Sequence, residues 1–298
     1  MNDMTMNSKP AASTAPAANL GNRAPMGGSI SIRNVTKVYD PEGVNVCAVD
    51  DCSMEIAAGE VCMIVGPSGC GKTTLLNAIA GFHSITSGEI LLDGQLLCGA
   101  TKPKATQGAD RMVVFQNGAL FPWKTLAENV AYGPIVQRRM SKAEAKDKAY
   151  HMLAEAGLGD FGDKYPGEVS SGMARRAEIV RALINEPKVL LLDEPYRAMD
   201  ALTKSIMHES LLETYDRTKV TIFFITHDIE EAIFLGDKVH IVTTRPCSLK
   251  KTVDVTIPRP RTYESLSSDS FRMLMEEVNE AVHEEAVKAF QAGERELA

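Results

Sequence analysis

The stretch from Gly66 to Thr73 constrains this chain most, because it fits the phosphate-binding pattern G-x-x-x-x-G-K-[ST]. The apolar residues 61–65 before it predict a buried strand, and residues 74–80 after it predict a helix that ends at Gly81. Strand, glycine-rich loop and helix form the context that the motif requires, so a chance match is disfavoured. The predicted phosphate-binding residues are Gly66, Pro67, Ser68, Gly69, Cys70, Gly71, Lys72, Thr73 and Thr74.

The residue types in this loop suit a bound phosphate. Glycines let the backbone curl so that N–H groups face phosphate oxygens, and the N-terminus of the following helix adds partial positive charge. Lys72 is predicted to reach the β- and γ-phosphates, and the Thr73 hydroxyl is predicted to bind Mg²⁺. The loop therefore predicts nucleotide binding, with ATP and Mg²⁺ as the cofactors, but it does not by itself define the reaction.

The composition is that of a globular protein. The chain has 298 residues, of which 44% are hydrophobic and 24% charged. Its net charge of −7 argues against nucleic acid as the main partner, because binding to a phosphate backbone needs a basic face. No apolar run approaches the ~20 residues that span a bilayer, and the first residues lack the apolar core of a signal peptide. We therefore expect a cytosolic chain.

The six cysteines include no C-x-x-C pair, and reduced thiols are expected in the cytosol. A metal site at Cys47 and Cys52 is an alternative, although no His-x-His cluster accompanies them. Cys70 differs from the others because it lies inside the phosphate-binding loop. We expect bulky alkylation of Cys70 to block nucleotide binding, and ATP to protect it.

The order of predicted elements indicates an α/β protein with three parts. Residues 1–28 are poor in large apolar groups and predict a disordered arm. Residues 29–35 predict one strand, and residues 46–56 predict a strand pair, which begin an N-terminal antiparallel β subdomain. Strand signals disappear over about 125–185, where Ser141 and Glu144 form a capping box, and this predicts an inserted all-helical subdomain. Strands return at 189–194, 220–225 and 239–242 and alternate with helices, which predicts a mainly parallel sheet.

The end of the chain predicts a linker and an amphipathic helix over 259–298. Apolar residues recur there at helical spacing, and acidic residues occupy the other face. We expect this helix to pack on the body of the protein; binding of a partner is the alternative. The apolar residues are Phe271, Leu274, Met275, Val278 and Val282, and the acidic ones are Glu276, Glu277, Glu280 and Glu284.

Asp193 and Glu194 supply the second half of the predicted nucleotide site. Asp193 ends an apolar strand far downstream of Lys72, where P-loop enzymes hold Mg²⁺ with a carboxylate. Side chains alternate in direction along a strand, so Glu194 can polarise a water while its neighbour serves the metal. The apolar run before this pair argues against an ordinary surface Asp-Glu pair.

These motifs, in this order, resemble the ATPase subunit of an ATP-binding-cassette (ABC) transporter over residues 29–258. The resemblance implies a P-loop NTPase (RecA-like) core and assigns roles by position. Tyr39 resembles the aromatic residue that stacks on adenine, and Gln116 resembles the glutamine that touches Mg²⁺ and senses the permease. Asp200 resembles the D-loop aspartate and His227 the switch histidine. We call residues 170–173 the signature segment, because they resemble the family's signature; they are Ser170, Ser171, Gly172 and Met173.

The resemblance implies a mechanism that two chains share. Two nucleotide domains would close head-to-tail, so that each ATP lies between the P-loop of one chain and the signature segment of the other. Lys72, Glu194 and His227 would be catalytic, and Thr73, Gln116 and Asp193 would hold the metal. The remaining histidines are expected to be structural. A homodimer is favoured over a heterodimer, although the sequence leaves both open.

The same resemblance implies the partners and the place of work. A transmembrane permease dimer, and indirectly a solute-binding protein, would complete an importer at the cytoplasmic face of the inner membrane. The amino-acid sequences of the P-loop and of residues 115–123 resemble those of the subfamily that imports nitrate, sulfonate, taurine and bicarbonate. Two alternatives stay open, namely a soluble ABC ATPase and a nucleotide-gated interaction module with little turnover.

Three residues depart from the family pattern. Ser171 stands where the signature has its first glycine, Met173 stands in place of glutamine, and Arg197 occupies a D-loop position that usually carries Gly or Ser. Either these changes are tolerated or they weaken closure of the two domains. Tolerance is favoured, because the predicted catalytic residues are all present.

Overall fold

The computed structural model describes residues 27–40, 43–197 and 199–291, so residues 1–26 of the predicted arm lie outside the described residues. The strands are β1 Ile30–Tyr39, β2 Val46–Ile56, β3 Val61–Val65, β4 Ser87–Leu92, β5 Gln95–Cys98, β6 Arg111–Val114, β7 Val189–Asp193, β8 Thr221–Thr226, β9 Lys238–Val242 and β10 Leu249–Asp254. The helices are α1 Lys72–Ala80, α2 Leu126–Val136, α3 Lys142–Glu155, α4 Ser171–Leu183, α5 Ala201–Thr218, α6 Ile229–Leu235 and α7 Asp269–Gln291.

The larger sheet has the strand order β10-β9-β3-β8-β7-β6 and is parallel except at its β10 edge. Every residue of β3, β7 and β8 is buried, as expected for parallel strands covered on both faces. The pairing register sets Val65 beside Thr226 and Asp193 beside Ile225. The carboxyl ends of these strands therefore meet at one edge, where ligands bind in open α/β sheets. The predicted fold class is confirmed.

The smaller sheet is antiparallel, with the order β2-β1-β4-β5. The prediction of a strand pair over 46–56 is wrong, because β2 is one continuous strand paired with β1. Its register shifts near Asp51, which adopts a positive φ of 43°, so a bulge interrupts the alternation without ending the strand. Just before β1, Gly28 was predicted to belong to the disordered arm, but it is buried and its N–H donates to the Lys188 carbonyl.

The segment between β6 and β7 is helical and has its own core. The predicted capping box is confirmed: Glu144 N–H donates to Ser141 Oγ, and Ser141 N–H donates to the Glu144 carboxylate. Helix α2 begins with a second box formed by Thr125 and Glu128. The buried apolar residues that α2, α3 and α4 share include Leu126, Val130, Leu153, Ala177 and Ile184.

Helix α7 packs on the body, as predicted. Phe271, Leu274 and Val278 join the main apolar core. The acidic face pairs with β10, where Lys250 lies 2.5 Å from Glu284. No helix among the described residues has both the length and the apolar character needed to cross a membrane.

The segment before α7, predicted as a linker, is anchored to the body. The Arg261 guanidinium is buried and donates to the carbonyls of Ile233, Phe234 and Gly236. Arg259 forms an ion pair with Asp237 at 2.8 Å. The Arg261 contacts use main-chain carbonyls, which have no signature in the sequence.

Candidate functional site

The P-loop joins β3 to α1 through a backbone that requires glycine at two positions. Gly69 and Gly71 have φ angles of +74° and +124°, which side chains disfavour. A Cβ at Gly71 would lie 2.2 Å from the Ala48 carbonyl oxygen. Gly71 is also the N-cap residue of α1, so the loop delivers free helix N–H groups to the site.

The Lys72 side chain folds back over its own loop. Its Nζ donates to the carbonyls of Gly66 and Pro67, both at 2.7 Å, and lies 3.8 Å from Cys70 Sγ. The side chain is buried, so the loop holds the ammonium where phosphate oxygens can replace these two carbonyls.

Thr73 and Asp193 meet across the site. The Thr73 hydroxyl donates to Asp193 Oδ1 at 3.2 Å. Burial raises the pKa of Asp193, against the lowering effects of the Thr73 hydrogen bond and the Lys72 charge. A hydroxyl beside a carboxylate offers the hard oxygen ligands that Mg²⁺ prefers, so these residues fit the expected cation.

Glu194 is held in the left-handed region, with a φ of 43°. Its N–H donates to the Ile225 carbonyl at 3.0 Å, which fixes the backbone after β7. The carboxylate Oε2 lies 3.3 Å from His227 Nδ1 and 3.4 Å from Arg197 Nη1. Backbone strain of this kind is typical of functional sites. The structure thus brings Glu194 and His227 together and adds Arg197, which the sequence marked only as a departure.

The signature segment forms the start of α4. Ser170 is the N-cap residue, and its hydroxyl accepts the Met173 N–H at 3.3 Å. Ser171 follows as the first helical residue and is exposed, whereas Gly172 is buried. A Cβ at Gly172 would lie 2.9 Å from Thr203 Cγ2. The tight position is therefore Gly172, which is still glycine, and the serine lies at the open one.

The signature segment does not contribute to its own chain's nucleotide loop. Within the residues that the structure describes, no hydrogen bond or ion pair joins residues 170–173 to residues 66–73. Ser171 is exposed instead.

Tyr39 and Asp200 lie at the ends of elements. Tyr39 ends β1 and is half-buried; Lys37 Nζ lies 4.7 Å from its ring centroid, and the ring meets His83 edge-on. Asp200 caps α5 by accepting the Thr203 N–H at 2.9 Å, and hydrogen bonds with Thr203 lower its pKa. Both residues are ordered by local contacts, and Asp200 stays exposed.

Arg175 links the signature helix to Gln116 and was missed as a functional residue. Its guanidinium donates to the Phe115 and Gln116 carbonyls at 2.7 and 2.8 Å. The same group forms a buried ion pair with Glu178 at 2.6 Å. A shift of α4 would therefore displace the backbone at Gln116 through these hydrogen bonds. Gln116 itself is half-buried.

The loop after β9 supports the P-loop from the other side. Arg245 Nη2 donates to the Gly69 carbonyl at 3.0 Å, and the neighbouring Thr244 N–H donates to Glu285 of α7. A hydrogen bond with Cys247 lowers the pKa of the Cys70 thiol to about 6 despite its burial, and Lys72 acts in the same direction. These supports are separated from the P-loop by over a hundred residues, so no local sequence pattern reveals them.

Glu285 of α7 holds the loop that contacts the P-loop, a role that the sequence did not predict. It lies on the face of α7 that packs on the body and is buried. Burial opposes its ionisation, but hydrogen bonds from Lys288, Lys250 and the Thr244 N–H lower its pKa to about 2. A charged carboxylate is therefore built into the contact between α7 and the loop that touches Gly69.

A phosphate loop at the end of β3, a carboxylate pair at the end of β7 and a histidine after β8 define a P-loop NTPase. The sequence profile of the family described as ABC transporter matches residues 49–197. The chain belongs to the ABC transporter family and is similar to the ATP-binding subunits of that family.

Several relatives share most of this chain. It is 37% identical to the aliphatic sulfonates import ATP-binding protein SsuB of Bacillus cereus, covering 84% of this chain and 94% of that one. The taurine import ATP-binding protein TauB of Roseobacter denitrificans is 42% identical over 74% and 80% of the two chains. The nitrate transport protein NasD of Klebsiella oxytoca is 38% identical over 87% and 98%.

Among solved structures, the fold is similar to the dimeric ATP-binding cassette MJ0796 in a post-hydrolysis state bound to ADP and Pi. The TM-score is 0.67 and the identity 28%, and the match covers 77% of this chain and all of that one.

Proposed function

We propose that this chain is the ATP-binding and ATP-hydrolysing subunit that powers import of a small anion through a separate membrane permease. The observation that carries the enzymatic part is the meeting of Thr73 with Asp193 and of Glu194 with His227 at one edge of the sheet. The importers of sulfonate, taurine and nitrate among the relatives support the transport part.

The phosphate side of the site binds and orients ATP. Lys72 exchanges its two loop carbonyls for oxygens of the β- and γ-phosphates, and α1 directs its N-terminal N–H groups at them. Thr73, Asp193 and Gln116 would hold Mg²⁺, which would neutralise charge on the phosphates. Tyr39 stacks on the adenine.

The opposite side of the site acts on water. Glu194 polarises the attacking water, and its contact with His227 aligns the carboxylate and the imidazole on the γ-phosphate. Arg197 offers the same carboxylate a second partner, so it positions Glu194 rather than touching ATP. The water attacks the γ-phosphorus in line, and the bond to the β-phosphate oxygen breaks to give ADP and phosphate.

The complete site needs a second subunit. Ser170 and Ser171 of the signature segment are exposed, and the solved cassette that this fold resembles is a dimer. We assign residues 170–173 to the ATP of a partner, with Asp200 beside the seam. Two identical chains are favoured, because one chain carries both complementary halves.

The permease docks beside Gln116. Phe115, Trp123 and Tyr132 are exposed aromatic residues, 40%, 70% and 39% accessible. Phe115 and Tyr132 line a cavity of about 430 Å³ between α2 and the end of β6, and Trp123 contacts Phe121, which also lines it. Exposed apolar patches mark contact sites for partners, and this one lies next to the residues that Arg175 holds. We therefore place the chain at the cytoplasmic face of the inner membrane as a peripheral subunit.

Gentle detergent extraction of membranes that carry the tagged chain tests this function. Recovery of a multi-span permease, together with its solute-binding protein, is the expected result, and Trp123→Glu should abolish recovery while leaving ATP binding intact. Phe290→Glu is a matched control, since Phe290 is an aromatic residue that is 84% exposed on α7, which packs on α6, β9 and β10. A chain that stays soluble, with no membrane partner, would overturn the transport assignment.

A further inference from the structure

A second cluster of reactive side chains lies at the opposite end of β3 from the P-loop. Glu60 precedes β3, Cys62 lies on β3, and His240 lies on the neighbouring β9. One carboxylate oxygen, the thiol sulfur and one ring nitrogen all lie within 4.8 Å of one another. All three side chains are buried, with residue exposures of 8%, 0% and 3%. No other group of three His, Cys, Asp or Glu residues in the described parts of the chain is as close.

Two atoms in this cluster lack a hydrogen-bond partner. They are Glu60 Oε1 and His240 Nε2, and both are fully shielded from solvent. Buried polar atoms are nearly always paired, because losing contact with water without a replacement is costly. Two such atoms beside one thiol indicate that a ligand belongs between them.

The remaining atoms of the cluster are oriented from behind. His240 Nδ1 lies 2.9 Å from the Thr252 hydroxyl; when Nδ1–H donates to it, the Nε2 lone pair points away. Glu60 Oε2 accepts the Ala57 N–H at 3.3 Å and pairs with Lys238 at 3.2 Å. Hydrogen bonds of this kind orient the side chains that bind metals in proteins. They leave His240 Nε2 and Glu60 Oε1 available as ligand atoms.

We propose that Glu60, Cys62 and His240 bind a divalent transition metal, and that Zn²⁺ is the ion that fits best. Thiolate, imidazole and carboxylate are zinc ligands, whereas Mg²⁺ and Ca²⁺ take oxygen. Zinc bonds of ~2.0–2.3 Å in a tetrahedron bring ligand atoms to about 3.3–3.8 Å, so ligand atoms that lie within 4.8 Å of one another need only a small closure. On binding, the Cys62 thiol gives its proton to solvent, and two anionic ligands balance the ion.

A cavity lies beside one of the three ligands, His240, whereas Glu60 and Cys62 do not line it. It has a volume of about 390 Å³ and is bordered by Lys238, His240 and Thr252 on one side and by β1 and β2 on the other. A water molecule would complete a tetrahedral site as the fourth ligand. The metal ties β3 to β9, and through Thr252 to β10, so the site adds to the stability of the central sheet.

Cobalt titration of the full-length, chelator-treated protein in nucleotide-free buffer tests the proposal. Co²⁺ bound to a thiolate gives a sulfur-to-metal charge-transfer band, which an oxygen site such as Thr73 and Asp193 cannot give. We expect a single equivalent of Co²⁺ to produce this band, Zn²⁺ to displace it, and Zn²⁺ to raise Tm. Cys62→Ala and His240→Gln should abolish the band, and Glu60→Gln should weaken binding at least tenfold.

Cys98→Ala is the matched control, because Cys98 is also a fully buried thiol in the same apolar cluster. Its band should match that of the wild type. Glu60→Gln preserves side-chain shape, so it keeps the test valid if Cys62→Ala fails to fold. Absence of a band in the wild type, or a band that survives both Cys62→Ala and His240→Gln, would overturn the proposal.

Discussion

The two halves of the nucleotide site differ in how their chain supports them. On the P-loop side, Lys72 is buried against two carbonyls, Thr73 bonds Asp193, and Arg245 braces Gly69. On the signature side, Ser171 is exposed and has no bond to the P-loop. The P-loop half is therefore organised before ATP binds. The signature half is an exposed surface, which we propose contacts the ATP of a second chain. In the proposed mechanism, hydrolysis is coupled to the approach of two subunits, because neither half alone surrounds the ATP.

The link between the halves is internal to each chain. Arg175 ties the signature helix to the carbonyls of Phe115 and Gln116, close to the proposed permease contact. Closure at the signature segment can therefore move the Gln116 segment. In the proposed mechanism, this would be a ligand-driven shift between two states, with ATP favouring the closed one.

The largest effect is expected in the organised half. Glu194→Gln should lower ATP hydrolysis by about 10²–10⁴-fold, because the amide cannot polarise the attacking water. ATP binding should be retained, since Glu194 does not belong to the phosphate loop. Single-turnover phosphate release measures the first and equilibrium binding the second. Glu230→Gln, an exposed acid on α6, is the control and should be silent. Equal rates for wild type and Glu194→Gln would contradict the role of this residue.

The link itself predicts a large loss of stability. Arg175→Ala leaves the buried Glu178 carboxylate without its ion pair, and we expect the free energy of unfolding to fall by ~3–5 kcal/mol. Arg217→Ala removes an exposed ion pair with Glu155 and should cost under ~1 kcal/mol. Urea denaturation compares the two variants. Equal small losses would show that Arg175 does not hold the two segments together.

In the signature half, we expect the protein to tolerate serine at position 171, where the family has glycine. Ser171→Gly should change the ATPase rate less than tenfold, or under ~1.4 kcal/mol of barrier, because Ser171 occupies the open position and Gly172 the tight one. Steady-state phosphate release measures this change. A larger increase would mean that the serine weakens closure.

Cys70 reports on the organised half through its pKa. A hydrogen bond with Cys247 lowers that pKa to about 6, so the thiolate predominates above pH 6. Maleimide labelling of Cys70 should therefore rise through about pH 6 and level off above it, and ATP should protect the thiol. Cys247→Ala should move the rise to higher pH. Mass spectrometry follows the label, and an alkylated protein that binds ATP normally would refute the placement of Cys70 in the site.

Much of the organised half could be predicted from the sequence, because its residues lie in contiguous motifs at strand ends. Lys72, Asp193 and His227 follow apolar strands whose register brings them together. The supports could not be predicted: Arg175 and Arg245 donate to main-chain carbonyls, which any residue provides. Edge strand β10 was missed because Lys250 and Lys251 interrupt its apolar pattern.

The helical spacing of α7 was predicted, but the buried charge on it was not. Periodicity places apolar residues on the packed face and gives no reason to put Glu285 there. The same limit applies to the histidines. His240 was expected to be structural, whereas its free Nε2 beside Cys62 supports a metal site. Patterns of hydrophobicity do not reveal which buried polar atoms lack partners.

The most direct test of the shared site is complementation between two defective chains. Lys72→Ala disables the P-loop, and Ser171→Glu places a negative charge where the partner's ATP would lie, at a helix start that tolerates it. Each variant alone should be inactive. In a mixed pair isolated with two different tags, the intact P-loop of the Ser171→Glu chain faces the intact signature segment of the Lys72→Ala chain. We predict that this pair regains ATP hydrolysis well above either variant alone. A mixed pair as inactive as both parents, or a fully active Ser171→Glu chain, would contradict the account.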